Sequence, residues 1–132
     1  MIKVVDLHKK FGNLDVLTGV NVDINKGETF VIIGQSGSGK SVFLKLLINI
    51  LSPDKGKIYI EGEELDQFTE KKLREVRMKF GVVFQHSALF DSLSVYDNVS
   101  FSLVEHTDLS EDLIEERAYD CLKLVGLDGI ES

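Results

Sequence analysis

Apolar and polar residues alternate over Val20-Asn21-Val22-Asp23-Ile24, which puts three apolar side chains on one face of a half-buried strand. Ile2-Lys3-Val4-Val5-Asp6-Leu7 has the same strand character. Asn25-Lys26-Gly27-Glu28 is a turn signal, and it leads into Thr29-Phe30-Val31-Ile32-Ile33. That short apolar run is expected to be a strand covered on both faces. Val42 to Leu51 is strongly apolar and reads as a core helix that stops near Pro53, the only proline. Asp54-Lys55-Gly56 then turns the chain into Lys57-Ile58-Tyr59-Ile60-Glu61, another alternating strand, which Gly62 closes.

A helix is expected from Thr69, an N-cap residue, with Leu73, Val76 and Phe80 on one stripe. Gly81-Val82-Val83-Phe84 reads as a second buried strand, ending in Gln85. Ser94-Val95-Tyr96-Asp97 has the spacing of a capping box and opens a helix that carries Val95, Val99 and Leu103. Ser110 caps the last helix, whose first turn is acidic, as the helix dipole favours. Its apolar stripe is Ile114, Ala118, Cys121, Leu122 and Val125, and Gly126 ends it. Cys121 reads as a small apolar residue on that face.

The candidate chemistry lies between the apolar run and the helix that follows it. Gly34-Gln35-Ser36-Gly37-Ser38-Gly39-Lys40-Ser41 satisfies G-x-x-x-x-G-K-[ST] at every fixed position, with a strand expected before it and a helix after. Glycines let the backbone curl so that successive N–H groups point into one anion-sized hollow. The helix N-terminus adds its partial positive charge. Lys40 is placed to reach β- and γ-phosphates, and the Ser41 hydroxyl to ligate Mg²⁺. The pattern predicts binding of a nucleoside triphosphate.

Composition narrows this reading further. The chain has 132 residues, the size of one domain, with 15 basic and 22 acidic residues and a net charge of −7. An acidic chain is poorly suited to a nucleic-acid backbone, which needs a basic face. No run approaches the roughly 20 apolar residues that span a bilayer, and the first residues do not resemble a signal peptide. One cysteine cannot form an internal disulfide, which fits a reducing, cytoplasmic setting.

In order and spacing, the P-loop, Pro53-Asp54-Lys55-Gly56-Lys57-Ile58 and Val83-Phe84-Gln85 resemble the N-terminal half of an ATP-binding cassette (ABC) transporter ATPase. The resemblance implies an α/β P-loop NTPase fold of ABC type. It would have an N-terminal antiparallel β portion, a partial parallel core sheet and the start of a helical subdomain. Residues 1–85 would hold the β portion and P-loop core, and 86–132 the Q-loop and helical start. It implies ATP and Mg²⁺ as ligands. Phe11 would stack on adenine, where the family more often has Tyr and a phenyl ring keeps the stacking face; a strand-end core residue is the alternative reading of that ring. Val16 would touch the nucleotide. Gly34, Gln35, Ser36, Gly37, Ser38, Gly39, Lys40 and Ser41 would hold the phosphates, and Ser41 with Gln85 the Mg²⁺. His86 is read as a loop residue, because the family's catalytic histidine belongs to a later loop.

Phe84 to Phe101 is similar to the F-Q-x-G-A-L-F-D-S-L-T-V-x-E-N-V-x-F stretch of cassettes serving Mla-type phospholipid trafficking and solvent tolerance. Ser41-Val42-Phe43-Leu44-Lys45 points the same way. Ser87, Asp97, Ser102 and Asn49 depart from that group's pattern, which weakens the substrate assignment. The resemblance implies a membrane permease docked on the segment after Gln85, a second ATPase subunit as partner, and a place on the inner face of the cell membrane. Core packing alone would also account for Leu89, Phe90, Leu93 and Val95.

Nothing in the chain matches the family's signature L-S-G-G-x, the strand ending in Asp-Glu, or the switch histidine. The sequence therefore reads as the truncated front of a cassette, expected to bind nucleotide, with Lys40 and Gln85 assisting, and to lack turnover. A non-catalytic nucleotide-binding or regulatory module is the other reading. An unrelated P-loop kinase or GTPase is remote, since no Asn-Lys-x-Asp motif is present.

Overall fold

In the computed structural model, which describes residues 1–84, 88–127 and 129–130, β1 (Ile2–Phe11) and β2 (Leu14–Ile24) form an antiparallel hairpin. Its turn is Gly12-Asn13, with Gly12 at φ 57°, the left-handed geometry that matches strand twist. β3 (Lys55–Ile60) pairs with the other edge of β1, and the short β4 (Glu63–Glu64) extends β3, giving the order β2-β1-β3-β4. Every pair is antiparallel.

β1 is longer than its apolar pattern suggests and is not regular. Val4 and Leu7 are both buried, although strict alternation would send residues three apart to opposite faces. A bulge resolves this. Pairing shifts register between Val4 and Leu7 on the β2 side and between Val5 and His8 on the β3 side, with Asp6 at φ 47°. The distorted residue is held on several sides. Asn21 Oδ1 accepts from the Asp6 N–H at 2.9 Å, and the Asp6 carboxylate meets His8 Nε2 at 2.9 Å and Lys55 Nζ at 2.8 Å. Those two partners, Lys55 first, hold the Asp6 carboxyl below the usual aspartate range.

One hydrophobic cluster joins the sheet to two helices, α1 (Lys40–Leu47) and α2 (Glu70–Arg77). The sheet supplies Val4, Leu7, Leu17, Ile58 and Ile60, α1 supplies Phe43, Leu46 and Leu47, and α2 supplies Leu73 and Val76. Thr69 caps α2, its hydroxyl accepting from the Lys72 N–H. Arg77, in the last turn of α2, reaches back to α1 and donates to the carbonyls of Ile48 (3.2 Å) and Asn49 (2.8 Å). These satisfy carbonyls just past the end of α1, beyond its last helical hydrogen bonds.

The described residues fall into two compact units, 1–82 and 83–132. In the second, α3 (Val95–His106) packs on α4 (Glu111–Leu124). The capping box at Ser94 and Asp97 forms reciprocally. The α4 stripe is narrower than the sequence pattern: Ile114, Ala118 and Leu122 are buried, whereas Cys121 and Val125 are exposed. A helix packed on one neighbour covers only the arc facing that neighbour.

The antiparallel portion, the P-loop helix and the helical start fit the ABC-type α/β class. Two expected strands do not form. Residues 29–33 and 81–84 are in no sheet among the described residues, and their apolar side chains lie open, with Ile33 91% and Val83 98% exposed. Strand composition alone cannot make a strand, because each backbone needs a hydrogen-bonding neighbour alongside it. No helix among the described residues is long and apolar enough to cross a membrane.

Candidate phosphate-binding site

Residues 34–39 curl between the unpaired residues 29–33 and α1. Ser38 N–H donates to the Gln35 carbonyl at 3.2 Å, which closes the loop on itself. Gly34 faces Ser38 so closely that a Cβ there would stand 2.6 Å from the Ser38 hydroxyl. Gly37 and Gly39 have φ 80° and 92°, a region that side-chain-bearing residues rarely adopt. Gly39 is also pressed from behind. A Cβ on it would meet Val16 Cγ1 at 2.9 Å and Leu17 Cδ2 at 3.1 Å, so β2 forms the wall against which the loop closes.

Gly39 is the N-cap of α1, which has no side-chain cap hydrogen bond and no acidic residue in its first turn. The positive end of the helix is therefore not offset by a local carboxylate. Lys40 Nζ bends over the loop and donates to the carbonyls of Gly34 (2.8 Å) and Gln35 (2.7 Å), with Ser38 Oγ at 3.5 Å. Backbone donors, a helix N-terminus and a fixed ammonium thus meet within a few residues. That donor set fits phosphate oxygens. Ser41 lies exposed in the first turn of α1, a hard oxygen donor suited to Mg²⁺. Gln85, the other expected Mg²⁺ residue, lies outside the described residues, as does His86.

An open cavity of about 410 Å³ borders the loop, lined by Leu17, Val20, Val22, Phe43, residues 30–33 and the loop itself. Most of its wall is hydrocarbon, which offers a triphosphate neither charge nor hydrogen bonds. The cavity is apolar space between β2, the start of α1 and residues 30–33, and the polar groups of this region belong to the loop.

Phe11 stands at the end of β1, paired with Leu14 across the hairpin, and is 45% exposed. Val16, half-buried, lies on the neighbouring strand against Gly39. Of the two hairpin residues expected at the nucleotide, Val16 touches the loop at Gly39, and Phe11 lies five residues earlier at the end of β1. The strand-end core reading of Phe11 does not hold, since the ring is exposed and outside the buried cluster.

Two residues with defined structural roles escaped the sequence reading. Lys9 joins Phe11 to the loop after α1. In unit 2, Asn98 fastens the segment before α3: it accepts from the Phe90 N–H at 2.8 Å and donates to the Phe90, Leu93 and Ser94 carbonyls at 2.9–3.2 Å. Asn is a weak helix former that favours bonding to nearby backbone, and its place in the first turns of a capped helix was the available signal.

The sequence model of the ABC transporter family matches residues 17–132. The chain is 46% identical over 130 residues to the "Probable ribonucleotide transport ATP-binding protein mkl" of Mycobacterium leprae, covering 98% of this chain and 38% of that protein. It is 38% identical over 129 residues to the "Intermembrane phospholipid transport system ATP-binding protein MlaF" of Haemophilus influenzae, covering 98% of this chain and 49% of that one. Among solved structures, "Dimeric Structure of MJ0796, a Bacterial ABC Transporter Cassette" superposes with a TM-score of 0.88 at 31% identity, over 100% of this chain and 60% of that one. The chain thus spans less than half the length of these curated relatives.

Proposed function

The chain belongs to the ABC transporter family, and from that premise we propose that it is the nucleotide-binding front of a transport ATPase, holding the β- and γ-phosphates of ATP in the 34–41 loop. The observation that carries this reading is the Lys40 ammonium held over a glycine-built loop at the unopposed N-terminus of α1. Loop N–H groups and the α1 dipole fix the phosphate chain, and Lys40 adds a unit charge between its last two phosphates. Phe11 offers its open face to adenine, with Val16 beside the loop. Ser41 would hold Mg²⁺, with Gln85 added to that role by the family resemblance, and the ion would supply positive charge against the phosphates.

The whole protein pairs with a second ATPase subunit and drives a membrane permease through the segment after Gln85, placing it at the inner face of the membrane. The names of the two relatives described above point to ribonucleotide and phospholipid as cargo classes. The Phe84–Phe101 stretch favours phospholipid. Residues 1–132 by themselves bind nucleotide without turning it over, a reading supported by a sequence with no strand ending in Asp-Glu to position an attacking water. The purified chain with Mg·ATP should give a calorimetric binding isotherm and no phosphate release over hours. Steady release at the purified chain's own concentration would contradict the non-hydrolysing reading, and a flat isotherm the nucleotide-binding one.

A further inference from the structure

Lys9 is unusual among the lysines of this chain in how fully it is fixed. Its side chain is only 14% exposed. Its Nζ donates to the Ser52 carbonyl at 2.8 Å and to Asp54 Oδ1 at 2.9 Å, so its end is anchored in the loop that follows α1. The same loop is strapped to β1 on both sides. Asp54 Oδ2 accepts from the Lys10 N–H at 2.6 Å, and the Asp54 N–H donates to the His8 carbonyl at 3.0 Å. Held there, the ammonium lies 5.5 Å from the centroid of the Phe11 ring. That separation is within the range of a cation–π contact. A cation occupies one face of the ring, while nearly half of the residue stays open to solvent.

We propose that Lys9 is a positioning residue for the base: anchored by Ser52 and Asp54, it clamps one face of Phe11 so that the opposite face is presented to adenine. This rests on the reading of Phe11 as the base platform. A free phenyl ring at a strand end must give up rotamer freedom when a base stacks on it, and a ring already clamped gives up less. The same contact links the base platform to the loop behind the phosphate-binding helix.

Lys9→Met keeps the length of the stem and removes the charge. Affinities of the purified protein for Mg·ATP and for Mg·tripolyphosphate, which has the phosphates and no base, separate the roles. The expected result for Lys9→Met is a loss of about three- to tenfold for ATP, with tripolyphosphate affinity unchanged and ATP affinity rescued by Lys9→Arg. Equal losses for both ligands, or no loss for either, would overturn the proposal. Should Lys9→Met fail to fold, Asp54→Asn keeps an acceptor for the Lys10 N–H but removes the charge that anchors Lys9, and it should show the same selective loss. Phe11→Ala in parallel tells the two readings apart. If that change leaves the ATP-to-tripolyphosphate ratio intact, Phe11 is not the platform. If it lowers the ratio and Lys9→Met does not, Phe11 stands and Lys9 falls.

Discussion

Lys40→Met is expected to cut affinity for Mg·ATP by roughly a hundredfold or more while leaving the fold intact. The ammonium is held by two carbonyls at 2.8 and 2.7 Å, close enough to the loop to face the phosphate chain directly. A charge-assisted hydrogen bond contributes about 1.5–3 kcal/mol, and a lysine between two phosphates makes more than one. About 3 kcal/mol corresponds to a little over a hundredfold in affinity. The cost to stability should be small, below about 1 kcal/mol, because the released carbonyls are exposed and water replaces the lysine. Calorimetric titration gives the first quantity and thermal unfolding the second. Unchanged affinity would mean that the phosphates bind elsewhere.

Gly56→Ala should have the largest effect on stability of any single methyl addition here. Gly56 has φ 93°, and a Cβ there would overlap the backbone carbonyl of Asp6, with the Val5 carbonyl oxygen 2.6 Å away. Both obstacles are main chain at the β1 bulge, between the Val5↔Lys57 and His8↔Lys55 pairs, so neither can swing aside. Strain at positive φ costs about 1–2 kcal/mol, and parting the strands adds to it, for a total of about 3–5 kcal/mol. That is a large share of the 5–15 kcal/mol that holds a typical domain folded. Gly62→Ala is the control. Gly62 has φ 90° but nothing within 4 Å of the added carbon, so it should lose only the strain. Urea midpoints of the two variants separate the clash from the backbone preference, and equal midpoints would show that the bulge yields.

Local chemistry made much of the fold legible. Thr69 and Ser94 cap helices where hydroxyl-first patterns placed them, and the fixed positions of the P-loop pattern located the turn from loop into α1. The misses share a physical cause, which is that they depend on partners distant in sequence. Residues 29–33 and 81–84 have strand composition, but pairing is a property of neighbours, and the described chain offers them none. The Asp6 bulge leaves no trace in a two-residue period except that Val4 and Leu7 fall out of step. β1 runs on through Lys9-Lys10-Phe11 because pairing with β2 continues there, although its charge resembles a loop. In the site, the loop and Lys40 were readable from spacing alone. Lys9 was not, since its role comes from Ser52 and Asp54, more than forty positions away.

The central claim is that residues 34–41 bind the phosphates of ATP, and amide-resolved NMR of the labelled protein during Mg·ATP titration tests it most directly. The account predicts large, saturable shifts of the backbone N–H signals of Gly37, Ser38, Gly39, Lys40 and Ser41, reproduced by Mg·tripolyphosphate and absent from Lys40→Met at the same ligand concentrations. Shifts confined to other residues, or loop amides that do not move at saturating ATP, would contradict it.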